Sequence, residues 1–110
     1  SKLDGNNMLE VYSVAISSDG KTVVTGSRNT AIRVWDIESS SMTRMLEGHT
    51  DVVRSVAISP DCMTIVSGSD DKTVRVWELE TGRLVDILTG SKAEEQLQAA
   101  KAWRALGSAA

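Results

Sequence analysis

A single cysteine and no phenylalanine occur among the 110 residues of the chain, and both scarcities restrict what the protein can be. Cys62 alone cannot form a disulfide within the chain, and no cluster of cysteine and histidine suggests zinc. A reducing cytoplasm is therefore the expected compartment. Without phenylalanine, the core has to come from valine, isoleucine, leucine, methionine and three tryptophans.

Strong charge and long apolar runs are missing as well. The net charge is −3 and no basic run is present, so bulk electrostatics do not favour nucleic acid or an anionic membrane as a partner. The apolar stretches are only a few residues long, too short for a transmembrane helix, and the first ten residues lack the apolar core of a signal peptide. We expect no metal and no cofactor.

The sequence contains an internal repeat with two copies. Val11–Glu38 and Val53–Glu80 are identical at more than half of their positions without a gap, and they place Trp35 and Trp77 42 residues apart. A period of this length with repeated turn signals indicates stacked structural units. Turn residues such as Asp19-Gly20 separate short β-branched runs, so each unit is predicted to form a meander of four antiparallel strands.

Successive side chains of the predicted strands point to opposite faces of the sheet. In the third strand of the first unit, Val34 points one way and Trp35 the other. Ala15 and Ala57 are small, which allows a neighbouring sheet to approach closely. The alternation therefore predicts sheets that are covered on both faces, which is typical of stacked sheets.

The amino-acid composition of the sequence changes after Gly90. Residues 91–107 are rich in strong helix formers, and Ser91 with Glu94 fits a capping box. We predict one C-terminal α-helix over 91–107, followed by a tail at 108–110.

Several motifs identify a family. Gly48-His49 precedes the second unit, Ser67-Gly68-Ser69-Asp70-Asp71 forms its inner turn, and Trp35-Asp36 and Trp77-Glu78 close the two third strands. On these motifs the chain resembles WD40 repeats, the four-stranded blades of β-propellers. The resemblance implies an all-β fold with an N-terminal segment at 1–10, a first blade at 11–48 and a second blade at 49–90.

The resemblance also implies a buried relay of hydrogen bonds that holds a blade together. The second blade has all four residue types, at Asp71, His49, Ser67 and Trp77. The first blade keeps Thr25 and Trp35, but Asn29 stands where the relay needs an aspartate. We therefore predict that the first blade is the softer one, which means that its relay stabilises it less than the relay of the second blade does.

Three relay residues also have the types of a hydrolase triad, Ser67, His49 and Asp71. A hydrolase needs an exposed nucleophile, oxyanion donors and a substrate pocket. The structural relay explains the same three residues and Trp77 too. The sequence thus favours a non-enzymatic protein, with the hydrolase as a remote alternative that labelling by a serine-reactive probe would test.

Partners of WD40 propellers commonly dock on the face that bears the inner turns and the start of each first strand, called here the loop face. The corresponding positions in this chain are Glu10, Tyr12, Arg28, Val52, Arg54 and Asp70. Tyrosine and arginine are favoured at binding hot spots, although a solvated loop surface is an equal alternative for each residue. The resemblance implies a scaffold for an unidentified protein or peptide.

Two blades are too few for a closed propeller, which typically has four to eight. If each open flank exposes roughly 400 Å² of apolar surface, the lost burial amounts to about 20 kcal/mol at about 25 cal/mol per Å². We therefore predict that copies associate head to tail into a ring of three or four chains, with a slight preference for four. The alternative is that the chain is a fragment or an engineered part of a larger WD40 scaffold.

Overall fold

The computed structural model describes residues 10–91, which contain eight β-strands. The strands are β1 (Val11–Ile16), β2 (Thr22–Ser27), β3 (Ile32–Asp36), β4 (Ser41–Leu46), β5 (Val53–Ile58), β6 (Thr64–Ser69), β7 (Val74–Glu78) and β8 (Leu84–Leu88). Residues 92–107 of the helix predicted at 91–107, the tail at 108–110 and residues 1–9 of the N-terminal segment lie outside the described residues. The boundaries predicted for the blades stay a prediction.

Two four-stranded antiparallel sheets are formed, with the orders β1-β2-β3-β4 and β5-β6-β7-β8. This confirms the predicted all-β meanders. The register shifts between Val34 and Trp35 in β3 and again between Val76 and Trp77 in β7. These irregularities lie at equivalent repeat positions. The outer strand β4 begins at Ser41, because its pairing with β3 continues beyond the irregularity.

The two sheets pack face to face and share one core. The first sheet contributes Ala15, Val24, Ile32, Val34 and Leu46, and the second contributes Val53, Val56, Ile58, Ile65 and Trp77. A Cβ atom added to Gly26 would lie 2.7 Å from Cγ1 of Val53, so the glycine provides the recess that lets β2 approach β5. The prediction that small residues allow close approach is thus met by Gly26 as well as by Ala15.

Part of the outward side of the first sheet is exposed, although Trp35 on that side is buried, so the prediction that both faces are covered is wrong for the exposed part of this sheet. Val14 and Ile16 are 47% and 59% exposed, whereas their repeat equivalents Val56 and Ile58 are 0% and 6% exposed. The second pair is buried because it packs on the first sheet, whereas the first pair meets no third sheet within residues 10–91. We call the exposed residues of this side the open flank: Val11, Val14, Ile16, Ile37 and Met42.

Candidate functional site

The four residues of the predicted relay form one continuous chain of hydrogen bonds in the second sheet. Trp77 Nε1 donates to Ser67 Oγ at 2.9 Å, and Ser67 Oγ lies 2.7 Å from His49 Nε2. The other ring nitrogen, His49 Nδ1, lies 2.8 Å from Asp71 Oδ2. These hydrogen bonds therefore connect the segment before β5, which contains His49, to three other parts of the sheet. Those parts are β6, the inner turn that follows β6, and β7.

Asp71 also accepts hydrogen bonds from residues that the sequence analysis did not single out. The hydroxyl and the backbone amide of Thr73 donate to Oδ1 at 2.6 and 2.9 Å, and the amide of Thr50 donates to Oδ2 at 3.0 Å. Threonine two residues after an aspartate is a turn signal that could have revealed Thr73. The carboxylate is thereby held on both oxygens, which fixes the turn in one conformation.

The surroundings of His49 and Asp71 favour a neutral imidazole beside an ionised carboxylate. Burial lowers the pKa of His49, and although the bond to Asp71 acts in the opposite direction, the net shift is downward. Burial alone would raise the pKa of Asp71, but the hydrogen bonds from Thr73, His49 and Thr50 outweigh it and lower the pKa well below its ordinary range. At neutral pH, Nδ1–H donates to Asp71, Ser67 Oγ–H donates to Nε2, and every polar atom of the relay has a partner.

The same geometry matches the connectivity of a hydrolase triad, but it lacks an accessible nucleophile. Ser67 is 0% exposed and its Oγ already accepts the indole hydrogen of Trp77. Catalysis requires a reacting atom within reach of the nucleophile. Since no substrate atom can reach Ser67 in this fold, the trio is suited to holding the blade together and not to acyl transfer.

The first sheet contains a weaker version of the relay. Trp35 Nε1 donates to Thr25 Oγ1 at 3.4 Å, which is longer than the corresponding bond to Ser67. Asn29 Oδ1 accepts from Ser27 Oγ at 2.6 Å and from Arg33 Nη1 at 3.3 Å. The buried Arg33, which the sequence analysis missed, thus approaches an amide oxygen where the second sheet has a histidine and a carboxylate.

The equivalent arginine of the second sheet, Arg75, has a different position. Its guanidinium lies over Gly48, where an added Cβ would be 2.6 Å from Nη1. Its positive charge is one of the influences that lower the pKa of His49. Gly48 therefore provides the space in which the arginine passes beside the relay.

The predicted loop-face residues of the first sheet form one cluster. Tyr12 Oη donates to Glu10 Oε2 at 2.9 Å, and Arg28 Nη1 pairs with Glu10 Oε1 at 3.0 Å. The bonds from Tyr12 and Arg28 lower the pKa of Glu10, and the bond to Glu10 raises the pKa of Tyr12. All three side chains are exposed, so they are available to a partner.

The equivalent residues of the second sheet continue this surface. Arg54 Nε donates to both carboxylate oxygens of Asp70, at 2.8 and 2.9 Å, and its guanidinium lies 5.3 Å from the centre of the Tyr12 ring. Val52 is half-buried and contributes its carbonyl, which accepts from the amide of Asp70 at 3.0 Å. The cation–π contact joins the two clusters across the boundary between the sheets.

Within residues 10–91, no group of three or more His, Cys, Asp or Glu side chains could hold a metal ion. In that range no helix is long and apolar enough to cross a membrane.

Comparison with protein families identifies the repeats. The family model described as "WD domain, G-beta repeat" matches residues 1–36 and 40–78. The chain belongs to the WD40 repeat family. WD40 proteins of known sequence include the general transcriptional corepressor TUP1 of Saccharomyces cerevisiae (strain ATCC 204508 / S288c), to which the chain is 44% identical over 41 residues. That match covers 37% of this chain and 6% of the yeast protein.

Solved structures show the same arrangement of strands. The "Structure of U3-55K" and the "Crystal structure of RRP9 WD40 repeats" both superpose on this WD40 chain with a TM-score of 0.73, at 22% and 23% identity. Each superposition covers 76% of this chain and 27% of the other chain. At this identity the likeness establishes the fold, and the chain spans about a quarter of each of these structures.

Proposed function

We propose that this WD40 chain is a non-enzymatic interaction module that assembles with copies of itself into a ring and presents its loop face to a protein partner. The observation that carries the proposal is the open flank. Val11, Val14 and Ile16 are the repeat equivalents of Val53, Val56 and Ile58, which are buried between the two sheets, yet they face solvent in the single chain. Exposed apolar surface of this kind marks an association site.

A ring is the form of association that repeats favour, because each blade of a propeller covers its neighbour's flank. Three or four copies give six or eight blades, and four remains our slight preference. The alternative is that the flank belongs against another blade of a longer WD40 chain, which the short coverage of the relatives also accommodates.

The self-association can be tested by light scattering coupled to size exclusion over a range of concentrations. The unmodified chain is expected to elute at three or four times its mass of 11.8 kDa. Ile16→Glu, which places a charge on the open flank, is expected to elute as a single chain. Met63→Glu is the matched control, since Met63 is 64% exposed and lies in the second sheet, immediately before β6. Equal masses for the two variants contradict the proposal.

The loop face is the second part of the proposal and is supported by the Tyr12–Arg54 contact, which builds one surface from both sheets. Tyrosine and arginine give large contact areas and directed hydrogen bonds. A protein captured by the unmodified chain and by Met63→Glu, but lost by the double variant Tyr12→Ala/Arg54→Ala, supports the loop face as the docking surface. A protein captured equally by all three contradicts it.

A further inference from the structure

The second sheet has an apolar face on the side away from the first sheet. The residues of this side, which we call the distal face, are Ala57, Val66, Val74, Val76 and Leu88. In β5 the neighbours of Ala57 are Val56 and Ile58, which belong to the core shared with the first sheet. Because successive side chains of a strand point to opposite sides, Ala57 points away from that core. The distal face is nonetheless buried, since Ala57 and Val66 are each only 1% exposed.

No strand among residues 10–91 covers the distal face. Within that range the hydrophobic contacts of its side chains are with one another, and the first sheet packs on the opposite side through β1, β2 and β5. The open flank shows what an uncovered face of this kind looks like, because Val14 and Ile16 are 47% and 59% exposed. The burial of Ala57 and Val66 therefore requires a part of the chain outside residues 10–91 to lie on them.

The path of the chain indicates which end provides this cover. After β4, residues 47–52 lead from the first sheet to β5, whose sheet covers the inner side of the first sheet. Gly90 follows β8 as Gly48 follows β4, so the chain that leaves β8 starts in the same direction, which is toward the distal face. Residues 1–9 precede β1 and, by the same repeat, enter from the side of the open flank. The cover is therefore expected from the residues after Ser91.

We infer that residues 92–107 cap the distal face as an amphipathic helix. The sequence predicts a helix there, with Leu97, Ala100 and Trp103 on one side. A helix of this length is about 24 Å long, whereas four strands spaced by about 4.8 Å are about 14 Å across, so the segment is long enough to cross the sheet. The small side chain of Ala57 leaves room for the indole of Trp103, the one tryptophan that belongs to neither repeat.

The cap occupies a face that a ring of copies needs. In a ring, each chain offers the open flank on one side and the distal face on the other, so the cap has to leave before another copy can lie there. This consequence rests on the self-association proposed above. Residues 92–107 thus inhibit assembly in the single chain, and displacement of the cap favours it.

Thiol labelling in the full chain tests the cap. In a Cys62→Ser background, Ala57→Cys carries the one thiol of the chain, and its reaction with dithionitrobenzoate reports whether the distal face is covered. Slow labelling that persists on dilution to single chains is expected, because the cover belongs to the same chain. Protection that is lost on dilution overturns the cap, since another copy then provides the cover. Ala15→Cys is the matched control, because Ala15 is the repeat equivalent of Ala57 and is buried between the two sheets.

Charges placed on the apolar side of the predicted helix should remove the cap. Leu97→Glu/Trp103→Glu is expected to speed the labelling of Ala57→Cys by about tenfold or more, because the distal face opens without unfolding of the sheets. Gln98→Glu/Ala102→Glu adds the same two charges on the other side of the predicted helix and is expected to leave the rate unchanged. Equal rates in the two charge variants overturn the inference.

A milder substitution decides the case in which the charges unfold the chain. Unfolding would be recognised by rapid labelling of Ala15→Cys, which should otherwise stay protected in every variant. Trp103→Ala adds no charge and is expected to speed the labelling of Ala57→Cys by a smaller factor while Ala15→Cys stays protected. No change of rate in Trp103→Ala then overturns the cap.

Light scattering separates the cap from the proposed function. Leu97→Glu/Trp103→Glu is expected to assemble at a concentration about tenfold lower than Gln98→Glu/Ala102→Glu, because no cap has to be displaced. Assembly of both at the same concentration overturns the inhibition. If every variant has the mass of one chain at all concentrations, the proposed self-association fails, whereas protection of Ala57→Cys still supports the cap.

Discussion

Ser13 Oγ in β1 accepts a hydrogen bond of 3.1 Å from the backbone amide of Val56 in β5, and this bond joins the two sheets at their edge strands. Both residues are buried, so the amide has no access to water if the hydroxyl is removed. A buried donor without a partner costs about 1–3 kcal/mol. The bond therefore couples the packing of the sheets to backbone hydrogen bonding.

Removal of this hydroxyl is expected to destabilise the chain. Ser13→Ala should lower the free energy of unfolding by about 1–3 kcal/mol, measured by urea denaturation. Ser18→Ala is the matched control, because Ser18 also bonds across the sheets, to the carbonyl of Pro60, but is exposed. Its loss should cost less than about 0.5 kcal/mol. Equal costs for the two variants would show that burial of the Ser13 bond does not matter.

The two relays should differ in their contribution to stability. Ser67→Ala leaves both Trp77 Nε1 and His49 Nε2 without a partner in a buried site, so we expect a loss of about 2–4 kcal/mol. Thr25→Val removes a single bond of 3.4 Å and keeps the branched shape, so we expect a loss below about 1 kcal/mol. Urea denaturation measures both. A cost of Thr25→Val that matches that of Ser67→Ala would contradict the view that the first blade is softer.

Stability should fall as the pH falls below the ordinary pKa of histidine. The pKa of His49 is lowered in the fold from its ordinary value of 6.5, so below that pH the unfolded chain takes up a proton that the folded chain resists. The stabilisation is complete above pH 6.5 and is lost as the pH falls through the lower folded pKa. Asp71 acts in the same direction at lower pH, because its stabilisation is present above its ordinary pKa of 3.8.

His49 is the one histidine of the chain, which makes this pH dependence easy to assign. Urea denaturation between pH 7.5 and pH 5 should show the decline for the unmodified chain. His49→Gln should be less stable at pH 7.5 and show a flatter profile over the same range. A profile that is unchanged by the substitution would mean that the decline has another origin.

The inner turns hold non-glycine residues in a left-handed conformation. Thr30 has a φ of 77°, and its repeat equivalent Lys72 has a φ of 71°. Because a β-branched residue is especially strained there, Thr30→Gly should raise the free energy of unfolding by about 1 kcal/mol. Lys72→Gly should raise it by roughly half as much or less, since lysine is unbranched at Cβ. Thermal unfolding of both variants checks the order, and a loss of stability in Thr30→Gly would refute the strain.

The sequence was sufficient to predict both meanders, because turn signals and alternation are local properties that recur in the second repeat. It also singled out the residues that the structure brings together at Asp71, His49, Ser67 and Trp77. Thr73 and Arg33 were missed because their roles depend on how a turn and a strand place a side chain beside a buried oxygen. The exposure of Ile16 could not be read from residue type, since its equivalent Ile58 has the same side chain and is buried.

The central claim is that the open flank causes copies of the chain to associate, and sedimentation equilibrium of the unmodified chain at several concentrations tests it most directly. The account predicts a species of three or four times the chain mass of 11.8 kDa that dissociates on dilution. A single species with the mass of one chain at every concentration would contradict it.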